Sequence, residues 1–181
     1  MGRIGLISIV WMLLLASCAG SGGRFGYARQ YEALDAETAY YERAVQVSYE
    51  EVRREPEAYA KHTLAWFGSV TEIKKQQGGD WTVALELRFH QPRHLCRDHS
   101  EDSCRVTVSS KVGGPYSAAL MPHNEDMAGK YQLQVGALMK IYGTPTGEFD
   151  DNGGPVIDAG YYRHWPVGTF VSTGGASSMR R

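Results

Sequence analysis

The sequence predicts a mainly β protein led in by a helix, and three observations predict it. Apolar residues recur at helical spacing from Tyr31 to Ala60, the period then falls to two in several later segments, and Gly- and Asp-rich turns separate those segments. A length of 181 residues suits one domain with appendages. With 43% hydrophobic and 22% charged residues, the chain has enough apolar surface to offset the entropy of folding, which excludes a disordered polymer. A formal net charge of -1 supplies no long-range field for a polyanion, so the expectation at this point is a protein without a nucleic-acid partner.

Residues 31–60 read as a lead-in helical segment. Leu34, Tyr41, Ala44, Val45, Val52 and Tyr59 supply its apolar face, and Glu37, Glu42, Arg43, Glu50, Glu51, Arg53 and Arg54 form a solvated one. Pro56 either stops this helix near Arg54 or starts a short second one. A first strand follows from Leu64 to Ile73, where Gly68 permits sharp coiling. The turn Gln77-Gly78-Gly79-Asp80 leads to a second, with Trp81, Val83, Leu85, Leu87 and Phe89 expected on the core face. Cys104, Val106 and Val108 mark a third, ended by Gly113-Gly114-Pro115. Residues 116–130 fit either a short helix or a loop. A fourth strand is expected over Leu133 to Gly143, a fifth over Pro155 to Trp165, and a short pairing segment over Val167 to Val171. Five strands with a longer insertion between the third and fourth match the order of an OB-like Greek-key barrel, here spanning residues 61–171 and preceded by an N-terminal α-helix. The Ser- and Gly-rich stretch 172–181 reads as a disordered tail.

Ahead of the helix, Met1-Gly2-Arg3 is cationic and Ile4 to Leu15 is apolar, too short for a membrane span but the length of a signal-peptide h-region. The run ends in Leu15-Ala16-Ser17-Cys18, which resembles a bacterial lipobox. That likeness implies a lipoprotein signal peptide over residues 1–17, acylation of Cys18, including a palmitate-type chain, and a permanent membrane anchor through the added acyl chains. Ala19, in place of an Asp, favours the outer membrane, with the domain facing the periplasm on a flexible tether over residues 18–30.

A wider resemblance rests on that box, the lead-in helix, Trp66-Phe67-Gly68-x-Val70, Val135-Gly136-x5-Tyr142-Gly143 and Arg163-His164-Trp165-Pro166. Together these resemble the Slp-type starvation-inducible outer-membrane lipoproteins and related OB-type envelope lipoproteins of myxobacteria. The resemblance implies a structural or binding module of the envelope, meeting envelope proteins or cell-wall glycan, and carries over no catalytic activity and no cofactor.

Cys96 and Cys104 flank a short loop between two strands, and in an oxidising compartment such a pair is expected to form a disulfide. Closing that nine-residue loop stabilises by about 2.6 kcal/mol in the chain-entropy model. The alternative is zinc held by His94, Cys96, His99 and Cys104, with His90 nearby, although the spacing matches no established finger. Tyr162, Arg163, His164 and Trp165, with Arg88 on the second strand, are candidate contacts for a sugar or flat ligand; the competing reading is that they seal a barrel end. The chain carries no G-x-S-x-G, H-E-x-x-H or Walker loop, so it reads as a non-enzyme.

Overall fold

The computed structural model describes residues 23–179, so the leader and the Cys18 box lie outside the described residues. The protein is mainly β, a single sheet of six strands: β1 (Leu64–Lys75), β2 (Trp81–Cys96), β3 (Cys104–Leu120), β4 (Leu138–Phe149), β5 (Pro155–Trp165) and β6 (Phe170–Ser172). β1 pairs antiparallel with β2 and β4, β2 with β3, and β4 with β5, while β3 and β5 run parallel over Ser117–Ala119 and Val156–Asp158. Those pairings close a ring in the order 1-2-3-5-4-1, and β6 lies parallel to the start of β3.

The ring encloses one core, built from alternate residues such as Trp66, Val70, Val83, Leu85, Tyr116, Ala118, Ile141 and Ile157. Gly68 lets Tyr116 cross this interior, because a Cβ there would stand 2.6 Å from the Tyr116 hydroxyl. Gly143 meets the same need between strands: a Cβ would lie 2.2 Å from the Asp158 carbonyl oxygen. A second apolar cluster, Phe25, Phe67, Val106, Val108, Leu138 and Trp165, packs on the outside of the ring, covered by the chain ahead of β1. The described part of the expected tether therefore belongs to the fold: Phe25 and Ala28 are buried, and Trp165 donates its indole N–H to the Phe25 carbonyl at 2.9 Å.

The single helix expected over residues 31–60 is three short pieces, α1 (Asp35–Arg43), α2 (Tyr49–Arg54) and a 3-10 turn over Pro56–Tyr59. α1 ends because Val45 bridges to Leu64 in extended backbone, and Ser48 restarts the helix by capping Glu51, whose carboxylate accepts the Ser48 N–H at 2.9 Å. β3 runs straight through Gly113-Gly114-Pro115, since the two glycines let it pass against Leu87 and the Tyr49 ring. Residues beyond it form the short helix α3 (Asn124–Met127), and β4 begins five residues later than expected because Gly136, at φ 88°, turns the chain first. β5 has the expected bounds. In β2 the alternation fails at bulges around Arg88, which expose Phe89 and bring His90 against Phe67 at 4.5 Å. The expected tail folds back as a 3-10 turn over Thr173–Ser178, where Thr173 accepts the Ser110 N–H at 3.0 Å.

Candidate functional site

Strand register sets the site. Phe67 of β1 lies opposite Arg88 of β2 and Lys140 of β4, and Lys140 lies opposite Arg163 of β5, so the four form one row on the outer face of the ring. Tyr142 stands two residues on from Lys140 and shares its face. A lysine between two cross-strand neighbours in the run Leu138-Met139-Lys140-Ile141-Tyr142 has water on neither side of the sheet, because α1 and the chain before it cover this face.

Glu37 of α1 points down into the row and is fully buried. Its carboxylate accepts hydrogen bonds from the Tyr31 hydroxyl, the Tyr142 hydroxyl at 2.6 Å and the Leu34 N–H at 3.1 Å. It also pairs with Arg163 at 3.2 Å and Lys140 at 3.4 Å. Burial works against its charge, but the two phenol donors and two cations outweigh burial and hold the carboxyl below its usual range. The phenols respond in the opposite sense: burial raises both, followed by the adjacent Glu37 carboxylate for Tyr31 and by Tyr31 and then Glu37 for Tyr142. Arg163 spends its remaining donors on the backbone of the covering segment, at Arg24 and Glu32, each 3.0 Å away.

Lys140 is placed differently from Arg163. Its ammonium lies 4.0 Å from the Tyr31 ring centre, 4.6 Å from Tyr142, 4.8 Å from Tyr41 and 5.2 Å from Phe67. Desolvation lowers it to about 8 despite Glu37, and Arg163 pushes the same way. The lysine faces a cavity of about 600 Å³ whose walls include Tyr31, Tyr41, Phe67, His90 and Pro92. Its volume falls in the range of small-molecule sites.

His90 closes one side. Its Nε2 lies 3.4 Å from His94 Nε2, and His94 Nδ1 lies 2.8 Å from the Ala28 carbonyl oxygen. A carbonyl only accepts, so His94 donates from Nδ1 and receives the His90 Nε2–H on its other nitrogen. Desolvation, followed by the neighbouring His94 and Lys140, lowers His90 to about 3, and desolvation also lowers His94, so both rings are neutral near pH 7.

No family model matches the chain, and no curated protein matches it. Among solved structures, it is similar to a deletion mutant of the single-stranded DNA binding protein from Thermus aquaticus, at 15% identity and a TM-score of 0.31, covering 61% of this chain and 53% of that one. The chain thus spans about half the length of that protein. The exclusion of nucleic acid drawn from net charge is withdrawn on this finding, while a likeness at this score carries no argument for what the chain binds.

The residues singled out from sequence part company. Alternate residues of a strand face opposite ways, so Arg163 and Trp165 lie under the N-terminal segment, whereas Tyr162 and His164 turn toward α3. All four are buried, at 4% exposure or less, which corrects the expectation of an aromatic surface that a ligand could stack on. Tyr162 donates to Asp126 at 2.6 Å, and His164 lies 3.5 Å from the same carboxylate. Arg88 does belong to the site's row, but its guanidinium is held by Ser69 at 2.9 Å and Glu86 at 2.8 Å.

Cys96 and Cys104 form a disulfide. That removes two thiolates from the alternative zinc set, and His99 is exposed while His94 is committed to Ala28, so the set does not assemble. His123, Glu125 and Asp126 do converge within 4.8 Å, but the Arg24 guanidinium bridges Glu125 at 2.8 Å and Asp126 at 2.6 Å and already occupies carboxylate oxygens that a metal ion would use. Sequence reasoning assigned Glu37 to a solvated face and passed over Lys140 and Asp126. The available signal was Lys140 itself, a cation inside an apolar strand, which demands a buried partner.

Proposed function

We propose that this chain is a lipid-anchored, non-catalytic module of the bacterial cell envelope, an OB-type five-stranded Greek-key barrel that binds a small ligand or glycan in the cleft between its wall and its N-terminal segment. The ring order 1-2-3-5-4-1, with parallel β3 and β5, supports the barrel assignment. The Leu15-Ala16-Ser17-Cys18 box supports signal-peptide cleavage, acylation of Cys18 and an outer-membrane location facing the periplasm. Kinship with Slp-type lipoproteins draws support from Phe67, Tyr142, Arg163 and Trp165, quoted from separate motifs, all of which sit in or beside the Glu37 cluster.

The observation that carries the binding role is the roughly 600 Å³ cavity walled by Tyr31, Tyr41, Phe67 and His90 over an ionised floor. Aromatic walls take the flat apolar face of a sugar or ring compound, and polar groups at the floor fix its orientation. Saturation-transfer NMR with soluble muropeptides tests this reading. Saturable transfer is expected, weakened about fivefold by Tyr41→Ala for the loss of one aromatic contact worth about 1 kcal/mol. Transfer that never saturates, or that Tyr41→Ala leaves unchanged, removes the cavity as the site. The anchor is tested apart from it: Cys18→Ala is expected to move the protein from the membrane to the soluble fraction, and unchanged partitioning contradicts the anchor.

A further inference from the structure

We propose that Lys140 is a reactive amine, built to condense with a small aldehyde that enters the cavity and to hold it as an imine. The inference rests on the reading of that cavity as a ligand site and adds the chemistry of its floor.

Four features of the cluster converge on it. The Lys140 nitrogen stands among four aromatic rings, and it lines the cavity even though its side chain is only 5% exposed, so access runs through the cavity. Among the described residues its one ion-pair partner is Glu37, at 3.4 Å, and the oxygen it shares already accepts the Tyr31 and Tyr142 hydroxyls. Two cations face this single carboxylate, so the cluster carries one positive charge too many for its burial. Loss of the Lys140 proton cures the excess and orphans nothing, because Glu37 keeps Arg163, two phenols and the Leu34 N–H. Arg163 cannot be the group that yields, since a guanidinium does not deprotonate in proteins.

The surroundings agree with a neutral amine. Tyr31 and Tyr142 are held as phenols, Tyr41 offers a ring, and His90 is a neutral imidazole, so Glu37 and Arg163 are the charged groups facing Lys140. Burial and Arg163 set the lysine near 8, against about 10.4 for an ordinary lysine, which leaves about a tenth of it as free amine at pH 7 where an ordinary lysine has under about a thousandth.

The reaction balances without oxidant or reductant. The neutral nitrogen's lone pair forms a bond to the carbonyl carbon, and the carbonyl π pair moves to oxygen. Both amine protons leave with that oxygen as water, and a C=N bond remains. Such an adduct suits an aromatic or unsaturated aldehyde, whose flat body fills the space between Tyr31, Tyr41 and Phe67.

Benzaldehyde with cyanoborohydride, applied to the full chain at pH 7.5 and followed by peptide mass spectrometry, tests the proposal. Benzylation of Lys140 is expected to run at least about tenfold faster than at the exposed Lys61 and Lys111, and to level off above about pH 8. Lys140→Met, which removes the amine and the excess charge together and whose folding is checked by circular dichroism, is expected to abolish the fast site. Labelling of Lys140 no faster than Lys61 and Lys111 overturns the proposal. Saturable muropeptide binding beside an unlabelled Lys140 sinks this inference alone, whereas fast labelling without muropeptide binding sinks only the glycan reading.

Discussion

Among the described residues two carboxylates are fully buried, Glu37 and Asp126, and they are built from similar parts to different ends. Each latches a covering segment onto the ring: Glu37 ties α1 to β4 and β5 through Lys140, Tyr142 and Arg163, and Asp126 ties α3 to β5 through Tyr162 and His164. Inside the fold the Asp126 latch is balanced one to one: Arg24 is its cation, the Glu125 carboxylate that shares Arg24 is mostly exposed to water, and His164 is driven toward the neutral form, chiefly by burial. Glu37 instead faces two cations beside a cavity. A closed charge balance suits a fastener, whereas an unbalanced one next to open space leaves a group with chemistry to offer.

Breaking Glu37 is expected to produce the largest effect. Glu37→Gln keeps the shape but strands Lys140 and Arg163 without a counter-charge, at a cost of about 3–5 kcal/mol in denaturant unfolding. Asp126→Asn is expected to cost less, about 1–3 kcal/mol, because Arg24 is one-third exposed and can turn to water. Replacing Cys96 and Cys104 together by Ser falls in the same range, about 2.6 kcal/mol, by loosening the denatured-state constraint. Tyr41→Ala, at a half-exposed ring, is expected to move stability by no more than about 0.5 kcal/mol while weakening muropeptide binding.

The pH dependence of stability follows the Glu37 cluster. Glu37 is more acidic folded than unfolded, so its stabilisation is complete above about pH 4.3 and disappears as pH falls through the lower folded value. Lys140 acts in the same direction, in a higher window. Its folded value near 8 lies below the unfolded value of about 10.4, so the unfolded chain binds the extra proton in that window and Lys140 makes stability climb from about pH 8 upward. Above about pH 10 the buried Tyr31 and Tyr142, held as phenols while the unfolded chain ionises, oppose the climb. Lys140→Met is expected to flatten the rise between pH 8 and 10, as read by urea unfolding across that range.

Local pattern made parts of this fold legible. Period-two alternation located β1, β2 and β5, and the thiol spacing pointed to the Cys96–Cys104 disulfide. The same reasoning failed where a distant partner overrides the pattern. Glu37 looks like one more surface acid of a charged helix, and only the row Phe67, Lys140, Arg163, set by pairing between strands far apart in sequence, gives it a buried destination. The three-piece lead-in was hidden for a related reason, since Val45 leaves the helix to bridge Leu64. The Arg163-His164-Trp165 stretch drew attention correctly as unusual, but sequence does not say which face of β5 is covered, and here both are.

The central claim is that one carboxylate serves two cations in the Glu37 cluster and that Lys140 is the one that gives up its proton. Following the Lys140 Cε resonance by NMR in a protein carrying carbon-13 lysine reads this directly. A midpoint near 8 is predicted, moving upward when Arg163 is replaced by Met in a variant that still folds. A Lys140 midpoint at about 10.4, the value of an ordinary lysine, contradicts the account.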